Sequence, residues 1–357
     1  DIRVCITSYL QTDWYIDQMK REAYESAPLP ITWNRAEYVQ GTRDVAYVFP
    51  VTDQPVDLAT ALEFVRSDDP RYKKLPNISQ ELDYIPSQTL AYKVDSAVVV
   101  AHGVVAPENA GYILDEMIIN LEGKTALGKH ELMILEMLQN NNWERPMYYA
   151  ITVSPDQFVR LDGFFQQTGM AHQIVPMDTK GNIRSVNVEK MYDNVMNKFR
   201  WGGVDKPGVY IDEKVMRMCK SYRLHLFSKL AGGLLSKGED EKALEVLDKC
   251  MAVLPPENVP MDASGLSIGE YYYVLGEKEK AEAVFDLIAD DAIRNVNWFF
   301  RLKPQQLASV RENLEHSLAV LQEVIRVARQ YDHPDYADKY QEEFDNFRMA
   351  YSTVPRE

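Results

Sequence analysis

At 357 residues the chain is too long for one ordinary hydrophobic core, so two or three domains are expected. Its 46% hydrophobic and 26% charged residues exclude a disordered or fibrous chain. A formal net charge of −15 argues against nucleic acid and against an anionic bilayer as partners.

No apolar run reaches the ~18 residues that a membrane span needs, so no direct membrane insertion is expected and the stretch reads as soluble. Cys5, Cys219 and Cys250 are odd in number and far apart, which is neither a disulfide framework nor a zinc pattern. Each reads as a small buried hydrophobe. The chain opens on alternating Ile2, Val4 and Ile6, with no charged or apolar leader region. It therefore reads as a piece of something longer, or as a processed product.

Ile2 to Tyr9 is expected to form a strand. Thr12 and Asp13 then cap a helix over Trp14 to Ser26, which Pro28 and Pro30 end. That is a βα half-unit, and its loop of Thr12, Asp13, Trp14 and Tyr15 would sit at the carboxyl end of a strand, where open α/β sheets hold ligands. The blander reading is a cap with two aromatics packed on the sheet. Further elements are a strand over Val45 to Phe49 and a helix over Thr52 to Ser67 with Leu58, Leu62 and Val65 on one face. Asp68 to Pro86 reads as a long irregular loop carrying Pro70, Pro76, Pro86, Lys73 and Lys74. Strands follow within Thr89 to Val105, including the apolar run Val98 to Val100, and Tyr112 to Leu121 is apolar enough for another.

This half is organised around Lys129 to Val153. Leu132, Leu135, Met137 and Leu138 fall at helical spacing, and Asn140, Asn141 and Asn142 supply a helix stop. Pro146 makes Arg145 extended, and Met147 to Val153 reads as a buried strand. The corner between them carries Trp143, Glu144 and Arg145. A helix from Ser154 and Pro155 to about Phe165 and a strand over His172 to Pro176 complete an alternation that predicts a mostly parallel sheet.

Val186 to Asp212 contains the one basic and aromatic cluster: Lys198, Arg200, Trp201 and Lys206 with Gly202 and Gly203. It reads as a ligand or partner site, or more often as a linker docked by its tryptophan. Helix predominates from about Val215. Gly238 and Gly276, Ala243 and Ala281, and Leu247 and Phe285 recur at one offset of about 38, close to the ~34-residue tetratricopeptide period. The Pro255 to Pro260 insert accounts for the extra length. The chain ends in two amphipathic helices, one with a stripe from Leu307 to Ile325 and one with an aromatic stripe of Tyr336, Tyr340, Phe344, Phe347 and Tyr351. The expected layout is an α/β domain over residues 1–185, a linker over 186–214 and an all-α tetratricopeptide-like domain over 215–357.

Catalytic motifs are absent from the sequence. The six histidines lack metal-ligand spacing, and neither a phosphate loop, a nucleophile elbow nor a dinucleotide fingerprint occurs. No catalytic, cofactor or metal residue is assigned. Asp13, Asp17 and Glu144 are the carboxylates to inspect, and Asp13, Trp14, Tyr15, Trp143, Glu144, Arg145, Arg200 and Trp201 form the candidate ligand or partner surface.

The stretches LQTDWYIDQMKREAYESAPLPI, EFVRSDDPR, LMILEMLQNNNWERPMYYAITV, MYDNVMNKFRW with KPGVYIDE, and KALEVLDKCMAVLPPENVP together resemble the C-terminal region of a bacterial multi-pass membrane-protein family of unknown function. The membrane part of that family resembles protein O-mannosyltransferases. The resemblance implies a domain on the periplasmic side, following the last membrane span. Its implied partners are the transmembrane part of the same parent chain and an acceptor protein or glycan. In such transferases the catalytic acid lies in the membrane part, so none is carried onto this chain. The resemblance thus implies a non-catalytic accessory domain; an interaction scaffold unrelated to sugar transfer, or a stand-alone α/β enzyme acting on carbohydrate, are the other readings.

Overall fold

The structure is a computed structural model that describes residues 2–75, 80–181 and 183–352. Asp1 and Pro76 lie outside the described residues. The chain forms two compact units, Asp1–Ser185 and Val186–Glu357.

The first unit is α/β. Its helices are α1 (Asp13–Met19), α2 (Arg35–Tyr38), α3 (Leu58–Arg66), α4 (Ser96–Ala101) and α5 (Lys129–Asn141). Its strands are β1 (Val45–Val48), β2 (Val56–Asp57), β3 (Tyr84–Ile85), β4 (Thr89–Lys93), β5 (Glu116–Asn120), β6 (Ala126–Gly128), β7 (Tyr148–Ala150), β8 (Phe165–Gln167) and β9 (Ala171–Ile174). In place of the expected mostly parallel sheet there are three small mixed or antiparallel sheets, ordered β3-β1-β6, β2-β4-β5 and β7-β9-β8. Only β1 with β3 and β2 with β4 run parallel among these pairs. Parallel pairing needs a crossover, whereas β8 and β9 are closed by a three-residue turn, and short strands favour the local solution.

Helix α5 is the centre of the core. Lys129 and every residue from Glu131 to Leu138 are buried, so the helix is enclosed rather than one-sided. Its first turn is tied by the Glu131 carboxylate accepting from Gly128 N–H at 2.9 Å. The charges buried with it are satisfied. Lys129 Nζ donates to Tyr38 O at 2.8 Å and pairs with Asp44, while Glu136 accepts from Thr32 N–H at 2.8 Å and Thr32 Oγ1 at 2.6 Å.

Four expected elements differ. Ile2 to Tyr9 joins no sheet; Ile2 and Val4 point outward, 85% and 73% exposed, and Thr7–Gln11 winds into a 3₁₀ turn. The α1 helix stops at Met19, where the chain turns back so that Leu29 N–H bonds Met19 O. Val98 to Val100 are helical in α4, because the Asp95 carboxylate caps Ala97 N–H at 2.9 Å and this local capping outweighs β-branched preference. Pro155 to Phe165 makes only short 3₁₀ turns, interrupted at Val159 and Arg160 by left-handed backbone (φ 52° and 61°).

The second unit is helical: α6 (Val188–Asp193), α7 (Glu213–Tyr222), α8 (Ser228–Leu235), α9 (Asp240–Val253), α10 (Leu266–Val274), α11 (Lys278–Phe299), α12 (Pro304–Ser309), α13 (Arg311–Gln330) and α14 (Pro334–Ser352). Residues 186–212 carry α6 and a following π-helical turn, Asn194–Lys198. The stripe from Leu307 to Ile325 is divided between α12 and α13, which meet at Val310.

Helices α8 and α9 pack as one pair and α10 and α11 as another, and the two turns are built alike. Glu239 N–H bonds Leu234 O at 3.0 Å and Glu277 N–H bonds Tyr272 O at 2.9 Å. Gly238 and Gly276 sit between them at φ 73° and 77°, the left-handed end of a Schellman motif. Ala243 and Ala281, and Leu247 and Phe285, are fully buried at equivalent positions. Neither glycine has an atom within 4 Å of an added Cβ, so only the backbone resists substitution. Gly238→Ala and Gly276→Ala are therefore expected to cost about 1 kcal/mol each, and equally, in thermal or urea melts. Costs differing by more than twofold would contradict the equivalence of the two turns.

Candidate functional site

The Thr12 to Tyr15 loop follows a 3₁₀ turn, so it does not lie at a strand's end as expected. Arg35 reaches across from α2, bonding the Asp13 carboxylate at 2.9 Å and pairing with Asp17. Asp17 also accepts from the Tyr38 hydroxyl at 2.6 Å. Both carboxylates are thus engaged in holding α1 to α2. Tyr15 is buried; its hydroxyl accepts from Ile6 N–H at 2.8 Å. Burial pushes the neighbouring Cys5 thiol up to about 11, which disfavours its thiolate at neutral pH. Trp14 is 54% exposed and lies 5.5 Å from the Tyr15 ring and 5.9 Å from that of Tyr9, which is also exposed. What the loop offers to solvent is an aromatic surface.

The Trp143–Glu144–Arg145 corner is built differently. Asn142 and Trp143 are both left-handed (φ 43° and 62°), which swings Trp143 inward to stack on Tyr92 at 5.7 Å. Trp143 is 3% exposed. Asn141 Nδ2 donates to Arg145 O at 2.6 Å, and the Arg145 guanidinium donates to Pro28 O at 3.1 Å. Glu144 faces solvent. Asp13 and Asp17 are both bound by Arg35, and no cation is shared between them and Glu144 among the described residues. The corner instead fastens α5 to the segment after α1.

In the second unit Trp201 stacks on the buried Phe227 at 5.2 Å and meets Phe199 edge-on, while Arg200 is exposed. Trp201 is therefore a packing residue for this segment.

Two features gave no signal in the sequence. The first is a cleft of about 490 Å³ in the first unit, between the β5–β6 turn and the loops at Arg160 and Asp178. The second is a cleft of about 330 Å³ in the helical unit, lined by Lys278, Glu282, His333, Asp335, Tyr336 and Lys339. At its edge Asp286 on α11 accepts from Tyr336 at 2.7 Å, Tyr340 at 2.6 Å and Lys339 at 2.8 Å, all on α14. These bonds explain why tyrosines lead the aromatic stripe.

Burial would raise the Asp286 carboxyl, but the Lys339 ammonium and the two hydroxyls outweigh it and hold it below its usual value. A carboxyl so depressed stabilises the fold above its unfolded pKa of about 3.9 and loses that contribution as pH falls through the folded value. Asp286→Asn is therefore expected to flatten the fall of the unfolding midpoint below about pH 4. An unchanged acid slope would exclude this role.

Among the described residues no helix is long and apolar enough to cross a membrane, and no group of three His, Cys, Asp or Glu is placed to hold a metal. No curated protein and no solved structure matches the chain. Residues 1–192, more than half the chain and all of the α/β unit, match the model of TMEM260-associated domain 2. The chain belongs to the TMEM260-associated domain 2 family.

Proposed function

We propose that the chain is a non-catalytic accessory domain of a glycosyltransferase-like membrane protein, working on the extracytoplasmic side by docking on the membrane part or binding the acceptor. The observation that carries this reading is the family match over residues 1–192, since TMEM260 is an O-mannosyltransferase-like membrane protein. The site geometry supports it. Asp13 and Asp17 are engaged by Arg35, and Glu144 faces solvent. The exposed Tyr9 and Trp14 present a surface suited to contact rather than to acid–base chemistry. Removal of residues 1–192 from the full-length parent is expected to impair glycosyl transfer, while the isolated chain shows no transferase or hydrolase activity. Normal transfer after the deletion would overturn the proposal.

A second reading is favoured by the matching turns of the α8–α9 and α10–α11 pairs. We propose that they are tetratricopeptide-like repeats, and such repeats stack into a surface that binds peptides or other domains. Substitutions along that surface that leave capture of its protein partner intact would remove it.

A further inference from the structure

The cleft of about 490 Å³ in the α/β unit carries charges of both signs that do not neutralise one another. Arg160, Lys180, Glu122 and Asp162 line it, all four exposed, with Asp178, Ile118 and Phe164 beside them. Arg160 donates one hydrogen bond, to Glu122 O at 2.9 Å. Among the described residues none of the four side chains forms an ion pair. Each is solvated on the open side of the cleft, and the backbone decides where the arginine stands.

The backbone does hold Arg160. Val159 and Arg160 are consecutive non-glycine residues in left-handed conformation, and a β-branched residue there is a rare, strained choice. The Val159 side chain is fully buried and the Arg160 guanidinium rests against the Gly123 turn. A glycine at 160 would take this backbone without strain, so what the arginine adds at this position is its side chain.

We propose that this cleft binds a small zwitterion of the α-amino acid type. Its carboxylate lies on the Arg160 fork, its ammonium on the Asp162 and Glu122 side, and its carbon chain on Ile118 and Phe164. The volume falls within the usual range of small-molecule sites. A singly charged ligand would leave one set of groups unanswered, whereas a zwitterion answers both without burying net charge. The inference is independent of the accessory-domain reading, because it is tested on this chain without its parent.

The test is ¹H–¹⁵N chemical-shift titration of the whole chain with L-leucine, and with the dipeptide leucyl-leucine to tell a free amino acid from peptide termini. Shifts confined to residues 118–123, 160–164 and 178–180 are expected with one or both. N-acetyl-L-leucinamide, acetate and glucose are expected to bind at least roughly tenfold more weakly. Arg160→Gly should melt no lower than the parent, since it relieves the left-handed strain, yet lose the shifts; Asp162→Asn should weaken them roughly tenfold. Absence of shifts with both zwitterions, equal binding of the uncharged amide or glucose, or shifts that survive in Arg160→Gly would each overturn the proposal.

Discussion

Arg223→Ala is expected to destabilise the helical unit by about 3–5 kcal/mol, among the largest losses any single side chain there would give. Arg223 is 0% exposed, in the π-helical turn Arg223–Phe227. Its guanidinium donates to Val259 O at 2.9 Å, Leu254 O at 3.2 Å and Pro260 O at 3.3 Å. The Val259 and Pro260 carbonyls belong to the insert between the two helix pairs, which forms no helix of its own, and the Leu254 carbonyl ends α9 just before it. Without the guanidinium, buried acceptors lose charged donors at about 1–3 kcal/mol each, partly offset where water enters. A cavity is left as well.

Arg223→Lys should recover little. One ammonium on a flexible stem cannot address three carbonyls that a planar fork meets from a fixed geometry. Burial disfavours the charged form of Arg223, so the bonds to the carbonyls are what retain it. Urea melts followed by helical circular dichroism measure the loss, and amide exchange should place the first opening at residues 254–260. Melting of Arg223→Ala like the parent, or full recovery with lysine, would refute this clamp.

What could be read from the sequence depended on how local the deciding force was. The centre of α5 rests on the spacing of its apolar residues, and its Asn142 stop and the Gly238 and Gly276 turns on residue-type preferences for left-handed backbone, all of which show in one dimension. Elements decided at longer range did not. Ile2, Val4 and Ile6 alternate as a strand does, yet Arg3, donating to Gln18 O at 2.8 Å, holds the segment with the apolar side outward. Of the candidate site, Asp13 and Trp14 could be placed side by side because they are chain neighbours, whereas the burial of Tyr15 could not be read there. That Arg35 would engage Asp13 and Asp17 was not legible, because it arrives from another helix. Nor was the Arg160 cleft, since neither valine nor arginine announces a positive φ.

The corner at Trp143 gives the sharpest separation of a structural role from a functional one. Trp143→Ala is expected to cost about 3–5 kcal/mol, because the indole is buried against Tyr92 and no small side chain fills that space. Its left-handed backbone does not reduce this much, since alanine is strained there too. Trp143→Gly relieves that strain and should recover about 1 kcal/mol of the loss while leaving the cavity. Arg145→Ala frees the carbonyls of Ala27 and Pro28, but at a partly exposed site, and should cost about 1 kcal/mol. Glu144→Ala should stay within about 0.5 kcal/mol. On the proposed accessory role, the same four variants placed in the full-length protein discriminate the two roles: if the corner only fastens α5, transfer activity would follow folded fraction across the series, with Glu144→Ala fully active. A Glu144→Ala protein that melts like the parent but loses transfer would instead make the corner a working surface.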